Sequence, residues 1–279
     1  MPAAAPLTLR DDLGRTVTLA GGPARRVVSL APSVAENLFA IGAGARLVGV
    51  STVDNYPAAV RKLPKVGDFT QPSVERIRAL RPELVVVESA TIVRSAADNL
   101  EARLKTPVFA QKSDSFDDVI RQLRVLSRLT GVPLTTGRAN PVTVMNAKAA
   151  RVARHIAGKL RVTVFIEVNA SPLYAAGPGS FIDDLIRRAG GINVVKGTSA
   201  FPLYSKEALL KADPAHYIVA AGGDMGRADA KPTLPPPFNR LSAARTGNVH
   251  RLPVDLLFRP TPRLADGLVL LARALHPEG

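Results

Sequence analysis

The chain has 279 residues, of which 46% are hydrophobic, 22% are charged and none is cysteine, so the composition excludes a disordered chain, disulfides and thiolate chemistry. The length suits two domains of ordinary size, and no apolar run reaches the roughly 18 residues of a membrane span. The net charge of +14 comes from basic residues scattered singly rather than in blocks, which predicts a solvated basic surface and argues against nucleic-acid binding.

The chain begins with a predicted β-hairpin and a strand–helix unit. Residues 7–19 alternate on both sides of a turn at Gly14, as hairpin strands do. Residues 26–30 form an apolar strand, and Ser33 with Glu36 matches the S-x-x-E capping box, so we expect Ser33 to cap the next helix. No basic segment followed by an apolar run opens the chain. We therefore expect no signal peptide, and either a cytoplasmic protein or a chain whose leader has been removed.

Strands and helices then alternate as far as residue 133. A strand at residues 46–51 ends in a loop with Tyr56, and a strand at 83–87 ends in Glu88 and Ser89. Helices at about 92–104 and 116–129 enclose a further strand at 107–110. The alternation predicts an α/β lobe over residues 1–133, with a mostly parallel sheet and helices on its faces.

One motif occurs twice, at residues 69–87 and 201–219. In each copy a serine suited to cap a helix, Ser73 or Ser205, is followed by a glutamate in the first helical turn, Glu75 or Glu207. A proline then ends the helix, and an apolar strand follows. Two copies of one helix–strand unit predict two similar lobes.

Residues 134–160 show no strand pattern and connect the two copies. Asn140 and Pro141 open an alanine-rich helical pattern, which predicts one helix of about 20 residues, roughly 30 Å long, acting as a strut between lobes. The second lobe, residues 161–279, opens with a strand at 161–168 and a loop containing Tyr174. A helix at 181–189, the second motif copy, a strand at 249–252 and a helix at about 262–275 complete it.

The sequence contains no catalytic or metal-binding pattern. No zinc-protease motif or nucleophile elbow occurs, and the histidines are isolated, so we expect His155 and His276 to lie on the helix surface. Residues 177–180 precede a helix, but they lack the lysine and spacing of a phosphate-binding loop, and we interpret them as a turn. We expect no cofactor and no metal. An enzyme with two α/β lobes remains the alternative from another class of function.

Aromatic side chains are concentrated in the predicted loops. The chain has only 9 Phe, 4 Tyr and no Trp, and the loop aromatics are Tyr56, Phe69, Tyr174, Phe201 and Phe258. Together with Asp255 and Arg259 they suit an apolar cleft for a large, flat, partly hydrophobic ligand. Phe69 and Phe201 are equally open to interpretation as side chains that merely anchor their loops.

The order and spacing of these segments resemble the class III substrate-binding proteins of ABC importers, which carry cobalamin, ferric siderophores or haem. The resemblance covers nearly the whole chain, and its most telling segments are RVVSLAPSVAENLFAIGAGARLVGVSTVDNYP, LPKVGDFTQPSVERIRALRPELVVV and SPLYAAGPGSFIDDLIRRAGGINVV. It implies two α/β lobes joined by one long helix, with the ligand held between the lobes. It also implies a monomeric, non-enzymatic protein that is periplasmic or associated with the outer face of the membrane.

Within this family the chain is most similar to the cobalamin-binding branch. The resemblance implies that the ring contacts are Tyr56, Phe69, Tyr174 and Phe201, with Asp255 as the acidic contact. Glu88 and Ser89 stand where that branch has Trp, so Ser89 is expected at the ligand surface and a different corrinoid is possible. Phe69 stands where haem-binding relatives often have a ligating Tyr, which counts against haem unless Tyr56 or Tyr174 takes that role. Arg259 and Arg263 leave an anionic ferric siderophore open.

The resemblance also implies a protein partner, the permease dimer of the importer with its ATPase subunits. Glu75 and Glu207 resemble the pair of acidic residues that dock into arginine pockets of the two permease subunits. Stabilisation of the helix dipole, worth about 0.3–1 kcal/mol for each glutamate, would explain their positions equally well without a partner.

Overall fold

The structure is a computed structural model that describes residues 5–68, 70–90, 92–135, 140–221 and 232–278. The chain divides into two compact units, one of Met1–Ser113 with Asp117–Val144 and the other of Asp114–Phe116 with Met145–Gly279. In the described ranges, no helix combines the length and apolar character that crossing a bilayer requires.

The first unit is built on a parallel sheet, as predicted. Its elements in chain order are β1 (Leu7–Arg10), β2 (Thr16–Leu19), β3 (Val27–Ser29), α1 (Pro32–Ala40), β4 (Leu47–Gly49), α2 (Val74–Ala79), β5 (Leu84–Glu88), α3 (Arg94–Leu104), β6 (Val108–Gln111) and α4 (Phe116–Thr130). Strands β4, β3, β5 and β6 lie side by side in that order, all parallel. Because they are parallel, their carboxyl ends share one edge of the sheet.

The predicted hairpin is confirmed, and buried charges hold its turn in place. Strands β1 and β2 pair antiparallel with Leu7 opposite Leu19. The Arg15 guanidinium donates to the Asp11 carboxylate through Nε at 2.9 Å and Nη2 at 2.8 Å, and Nη2 also donates to the backbone oxygen of Val108. The side chains of Arg15 and Asp11 are 6% and 0% exposed. The turn is therefore fixed to the start of β6 by a desolvated ion pair.

The second unit has a mixed sheet. Its elements are β7 (Val162–Ala170), β8 (Leu173–Ala175), α6 (Phe181–Arg188), β9 (Gly191–Asn193), α7 (Lys206–Ala212), β10 (His216–Ala221), α8 (Ser242–Arg245), β11 (Val249–Pro253), α9 (Val254–Leu257) and α10 (Leu264–Leu275). The order is β11-β10-β7-β8, with β9 also paired to β7, and only β8 runs antiparallel. Strands β8 and β9 and the short helix α9 are absent from the prediction, because each covers only three or four residues.

The repeated motif folds as predicted in both units. Ser73 Oγ accepts from the Arg76 amide at 3.4 Å at the start of α2, and Ser205 Oγ accepts from the Ala208 amide at 3.0 Å at the start of α7. Each helix ends before a residue in the left-handed region, Arg81 with φ 46° and Asp213 with φ 38°, directly preceding the proline. The helix–strand units thus match in their caps and in their turns.

Helix α5 (Pro141–Ile156) carries the chain from one unit into the other. Asn140 Oδ1 accepts from the Val142 amide at 2.9 Å and so caps the helix where the sequence predicted its start. The helix has 16 residues, fewer than predicted, and Gly158 with φ 74° follows its end. The C-terminal shortening follows from the left-handed glycine, which does not continue a helix.

The Ser33 capping box is wrong. Helix α1 begins at Pro32 with Ala31 at the N-cap, and no side chain caps it. Ser33 is buried, and its hydroxyl donates to Glu88 Oε2 at 3.3 Å instead. Proline suits the first helical position, so the helix starts two residues earlier than predicted and Ser33 lies inside it.

The expectation of isolated, exposed histidines is also wrong. Because β10 and β11 are adjacent strands, His216 Nδ1 and His250 Nε2 come within 3.1 Å. The two ring planes are 13° from parallel, and the ring centroids are 5.4 Å apart. The centroid separation exceeds the N–N distance by about the width of one ring, so the rings meet edge to edge through these two nitrogens. His276 is buried, at 7% exposure, and its backbone oxygen lies 2.7 Å from His155 Nε2.

This pairing predicts acid sensitivity of the second unit. Burial, together with the neighbouring His250 and His276, lowers the pKa of His216 to about 4. An unfolded chain binds this proton at about pH 6.5, so the free energy of unfolding falls as pH drops from about 6.5 to 4. We expect a loss of about 2 kcal/mol, less than the full shift implies because water screens part of the interaction.

Urea unfolding between pH 7 and pH 4, followed for wild type and His216→Gln, measures this loss. The variant should show a shallower pH dependence over the same range. Equal slopes for the two proteins would show that His216 does not carry the effect.

Candidate functional site

In the first unit, the candidate site lies at the carboxyl edge of the parallel sheet. Tyr56 follows β4 and is 44% exposed, beside Val53 at 52%. The loop is fixed by Asp54, whose Oδ2 accepts from the Ser51 amide at 2.8 Å and whose backbone oxygen accepts from Lys65 Nζ at 3.0 Å. Ser89 follows β5 and is half-buried. Phe69 lies outside the described residues.

Directly beneath Ser89 is a buried carboxyl group. Glu88 is 7% exposed, and the hydroxyl groups of Ser113 and Ser33 donate to its two oxygens at 2.8 and 3.3 Å. Burial raises the pKa of Glu88 to about 7, although these two hydrogen bonds favour the ionised form. No local sequence pattern predicted this buried group, because Ser33 and Ser113 are both distant from Glu88 along the chain.

In the second unit, an apolar strip lies along β8. Residues 200–204 run antiparallel to β8, with hydrogen bonds from Ala175 N to Pro202 O at 3.1 Å and from Tyr204 N to Leu173 O at 2.9 Å. Tyr174 lies opposite Leu203. Directly opposed residues share a face, as do residues two apart, so Phe201 joins them. Tyr174, Phe201 and Leu203, here named the Tyr174 strip, are 38%, 41% and 67% exposed.

The turn at residues 177–180 supports this strip. Gly177 N donates to Ala200 O at 2.8 Å, and a Cβ at Gly177 would lie 2.1 Å from Ser199 O. Asn193 Nδ2 donates to Ala176 O and to Asp183 Oδ1, both at 2.9 Å. The Ser180 hydroxyl caps α6, accepting from Asp183 N at 3.1 Å. With Asp183 and Asp184 in the first turn, the helix terminus already has its negative charges, in agreement with a structural turn.

The remaining predicted site residues follow β11. Asp255 lies in the first turn of α9, and its Oδ1 is 3.1 Å from Arg259 Nε. The Asp255 side chain is 46% exposed and that of Arg259 is 18% exposed. Phe258 follows α9 and is half-buried. The acid and the base are thus presented as an ion pair rather than as two separate charges.

Leu203 is the site residue that the sequence analysis missed. Its signal is the alternation within residues 201–204, in which Phe201 and Leu203 face outward while Tyr204 packs against Phe165 with ring centroids 5.5 Å apart. Phe201 also meets Phe181 edge-on at 6.4 Å, so it both anchors its loop and remains exposed. Both interpretations of Phe201 therefore describe part of its surroundings.

The described residues hold no cluster of three or more His, Cys, Asp or Glu side chains that could bind a metal ion. The candidate residues of the first unit include the exposed Tyr56, and those of the second unit are the Tyr174 strip and the Asp255–Arg259 ion pair. Such surfaces bind large, partly apolar molecules through contact area and a few polar interactions.

Comparison with known proteins agrees with this description. Residues 27–256 match the model of the family described as periplasmic binding protein. The chain is 28% identical to an ABC transporter substrate-binding lipoprotein of Bacillus subtilis, over 98% of this chain and 86% of the relative. It is also 28% identical to a cobalamin-binding protein of Halobacterium salinarum, over 97% of this chain and 74% of the relative.

Solved structures show the same fold. The periplasmic vitamin B12-binding protein of Vibrio cholerae matches with a TM-score of 0.76 and 24% identity, covering 91% of this chain and 97% of that one. A periplasmic haem-binding protein from Pseudomonas aeruginosa matches with a TM-score of 0.75 and 27% identity, covering 92% and 94%.

The chain belongs to the periplasmic binding protein family. The predicted resemblance to class III substrate-binding proteins, with their two α/β units, is thereby confirmed. The relatives compared above are binding proteins, and two of them belong to the cobalamin group that the sequence pointed to.

Proposed function

We propose that the protein is the extracytoplasmic substrate-binding component of an ABC importer and that it captures cobalamin or a related corrinoid. The observation that carries the proposal is the Tyr174 strip, where three large apolar side chains stay exposed on one face. Exposed apolar groups arranged in this way are a feature of ligand-binding surfaces. A corrinoid combines a flat macrocycle with amide side chains, and so needs both apolar contact and polar partners.

We propose ligand contacts in each unit. In the second unit the proposed contact is the Tyr174 strip, and in the first unit the proposed contacts are Tyr56 and Ser89. The Asp255–Arg259 ion pair offers an acceptor and a donor to polar groups of the ligand, and Phe258 lies beside it in sequence. Phe69 belongs to the proposed contacts on the sequence pattern alone.

Calorimetric titration with cyanocobalamin tests this proposal. We expect micromolar or tighter binding by wild type, and about 10- to 100-fold weaker binding by the double variant Phe201→Ala/Leu203→Ala. Loss of an aromatic and an aliphatic contact corresponds to about 1.4–3 kcal/mol. Ile192→Ala is the matched control, because Ile192 is equally exposed at 42% but lies in β9.

Other cargoes are distinguishable outcomes of the same experiment. No heat and no thermal shift with cyanocobalamin would contradict the corrinoid assignment. A Soret band in the purified protein would assign haem instead. A thermal shift with ferric hydroxamate or catecholate complexes would assign a siderophore, for which Arg259 and Arg263 would supply positive charge.

We also propose that Glu75 and Glu207 dock the protein on the permease dimer. Both side chains are exposed in the first turn of matching helices, α2 and α7, one on each unit. The double variant Glu75→Gln/Glu207→Gln should lose binding to the detergent-solubilised importer while it binds ligand like wild type. Glu83→Gln, an exposed acid at the other end of the first motif, is the control. Unchanged importer binding by the double variant would leave only a helix-dipole role for the two glutamates.

A further inference from the structure

Glu88 and Gln111 are cross-strand partners at the carboxyl edge of the first sheet. Gln111 is 1% exposed and lies against the Glu88 carboxyl. Neither its Oε1 nor its Nε2 makes a hydrogen bond of good geometry within the part of the chain that the structure describes. The interaction of this amide with the Glu88 carboxyl favours the ionised form but falls short of good hydrogen-bond geometry, which is unusual because buried amides are nearly always well paired.

The other polar side chains around Glu88 direct hydrogens towards its carboxyl group. Gln122 Nε2 donates to Ser113 Oγ at 2.7 Å, which leaves the Ser113 hydrogen for Glu88 Oε1. Ser33 supplies a second hydroxyl from α1. These contacts support the ionised carboxylate, while burial and the charge of Asp12 support the neutral acid. Glu88 is therefore balanced between its two protonation states near neutral pH.

The described segments near Glu88 carry both acidic and basic groups. Asp12 in the hairpin turn is held by Arg121 of α4, at 2.9 and 3.0 Å. Glu36 is a buried carboxyl on α1, one turn beyond Ser33, and Lys112 next to Gln111 is exposed.

The Gln111 side chain can serve either state of Glu88. Its Nε2 can donate to the carboxylate, and after a half-turn of the amide its Oε1 can accept from the protonated acid. The backbone of Gln111 is also joined to the candidate ligand loop, because its oxygen accepts from the Ser89 amide at 2.7 Å.

We propose that Glu88 and Gln111 form a proton switch beneath Ser89, which takes up one proton from water when ligand covers this edge of the sheet. The inference rests on the proposed function, because it requires that Ser89 contact the ligand. Coverage removes the remaining exposure of Glu88, which disfavours the ionised form, and Gln111 turns to accept the new hydrogen. Ligand affinity must then fall as pH rises, since binding and protonation are linked.

Calorimetry with cyanocobalamin at pH 6.0 and pH 8.5, in two buffers of different ionisation enthalpy, tests the switch. Wild type should bind about tenfold more weakly at pH 8.5, which corresponds to a ligand-induced rise of about one pKa unit, and should take up about half a proton near pH 7.5, midway between the pKa values of the free and bound protein. Glu88→Gln, which keeps the size of the side chain, should show equal affinity at both pH values and no proton uptake. Glu83→Gln, at the start of the same strand segment, should behave as wild type. Equal affinity of wild type at both pH values, or a pH dependence that survives in Glu88→Gln, would overturn the proposal.

A second measurement on the protein without ligand separates this inference from the ligand assignment. In protein labelled with 13C in glutamate carboxyls, the resonance absent from Glu88→Gln should titrate near pH 7, and the Gln111 side-chain amide should shift with the same midpoint. A Glu88 midpoint near pH 4 would overturn the switch whatever the ligand. Titration near pH 7 without any binding of cyanocobalamin would instead contradict the corrinoid assignment and support the switch.

Discussion

Replacing Arg15 by Met is expected to destabilise the first unit by about 3–5 kcal/mol, because it leaves the Asp11 carboxylate buried without its counter-charge. Asp11 has no exposed side-chain surface, and Arg15 supplies two of its hydrogen bonds. The same arginine joins the turn to Asp98 at 3.2 Å and to the Val108 backbone oxygen, so its loss also removes contacts of the hairpin with α3 and β6.

Urea unfolding monitored by far-ultraviolet circular dichroism measures this change. Arg10→Met is the control, because Arg10 lies on the same hairpin but is exposed, and surface substitutions away from such contacts change stability by about 0.5 kcal/mol or less. The double variant Arg15→Met/Asp11→Leu should regain much of the loss, since neither charge remains buried alone. Equal unfolding midpoints for Arg15→Met and Arg10→Met would show that the ion pair does not hold the turn.

Gly177→Ala is expected to cost about 3 kcal/mol and to displace residues 199–202, which carry the Tyr174 strip. The added Cβ would lie 2.1 Å from Ser199 O and 2.8 Å from Pro202 Cδ. Neither atom belongs to a flexible chain end, so the backbone itself must move. We therefore expect ligand affinity to fall together with stability, and the Phe201 side-chain resonances to shift.

Gly179→Ala in the same turn separates the effect of close approach from that of backbone conformation. Gly179 has φ 80° and nothing within 4 Å of its added Cβ, so its variant should lose only about 1 kcal/mol and keep its ligand affinity. If Gly177→Ala proved as mild as Gly179→Ala, the strip would not depend on the contact between Gly177 and Ser199.

The sequence predicted what depends on local patterns. The caps at Ser73 and Ser205 and the mostly parallel sheets follow from residue order, and all are present. The repeat was also predictive, because the same short helix and strand fold in each unit. Tyr174 and Phe201 are exposed, as expected of the aromatic residues singled out at the start, but Tyr174 lies in strand β8 and not in the predicted loop.

What the sequence did not predict depends on contacts between distant segments. Glu88 meets Ser33 and Ser113 from other elements, and His216 meets His250 across neighbouring strands. The place of Leu203 opposite Tyr174 follows from the pairing of residues 200–204 with β8, which the sequence does not predict. None of these pairs has a characteristic spacing along the chain, since sheet order and register bring them together.

Residues 200–204 lie beside β8 at the edge of the second sheet. Without ligand, this edge exposes apolar surface to other copies of the protein. Proteins with such exposed apolar edges tend to self-associate at high concentration. The net positive charge makes the copies repel one another, so the basic character of the chain opposes self-association. Because salt screens this repulsion, we expect the ligand-free protein to associate at a lower salt concentration than the ligand-bound protein.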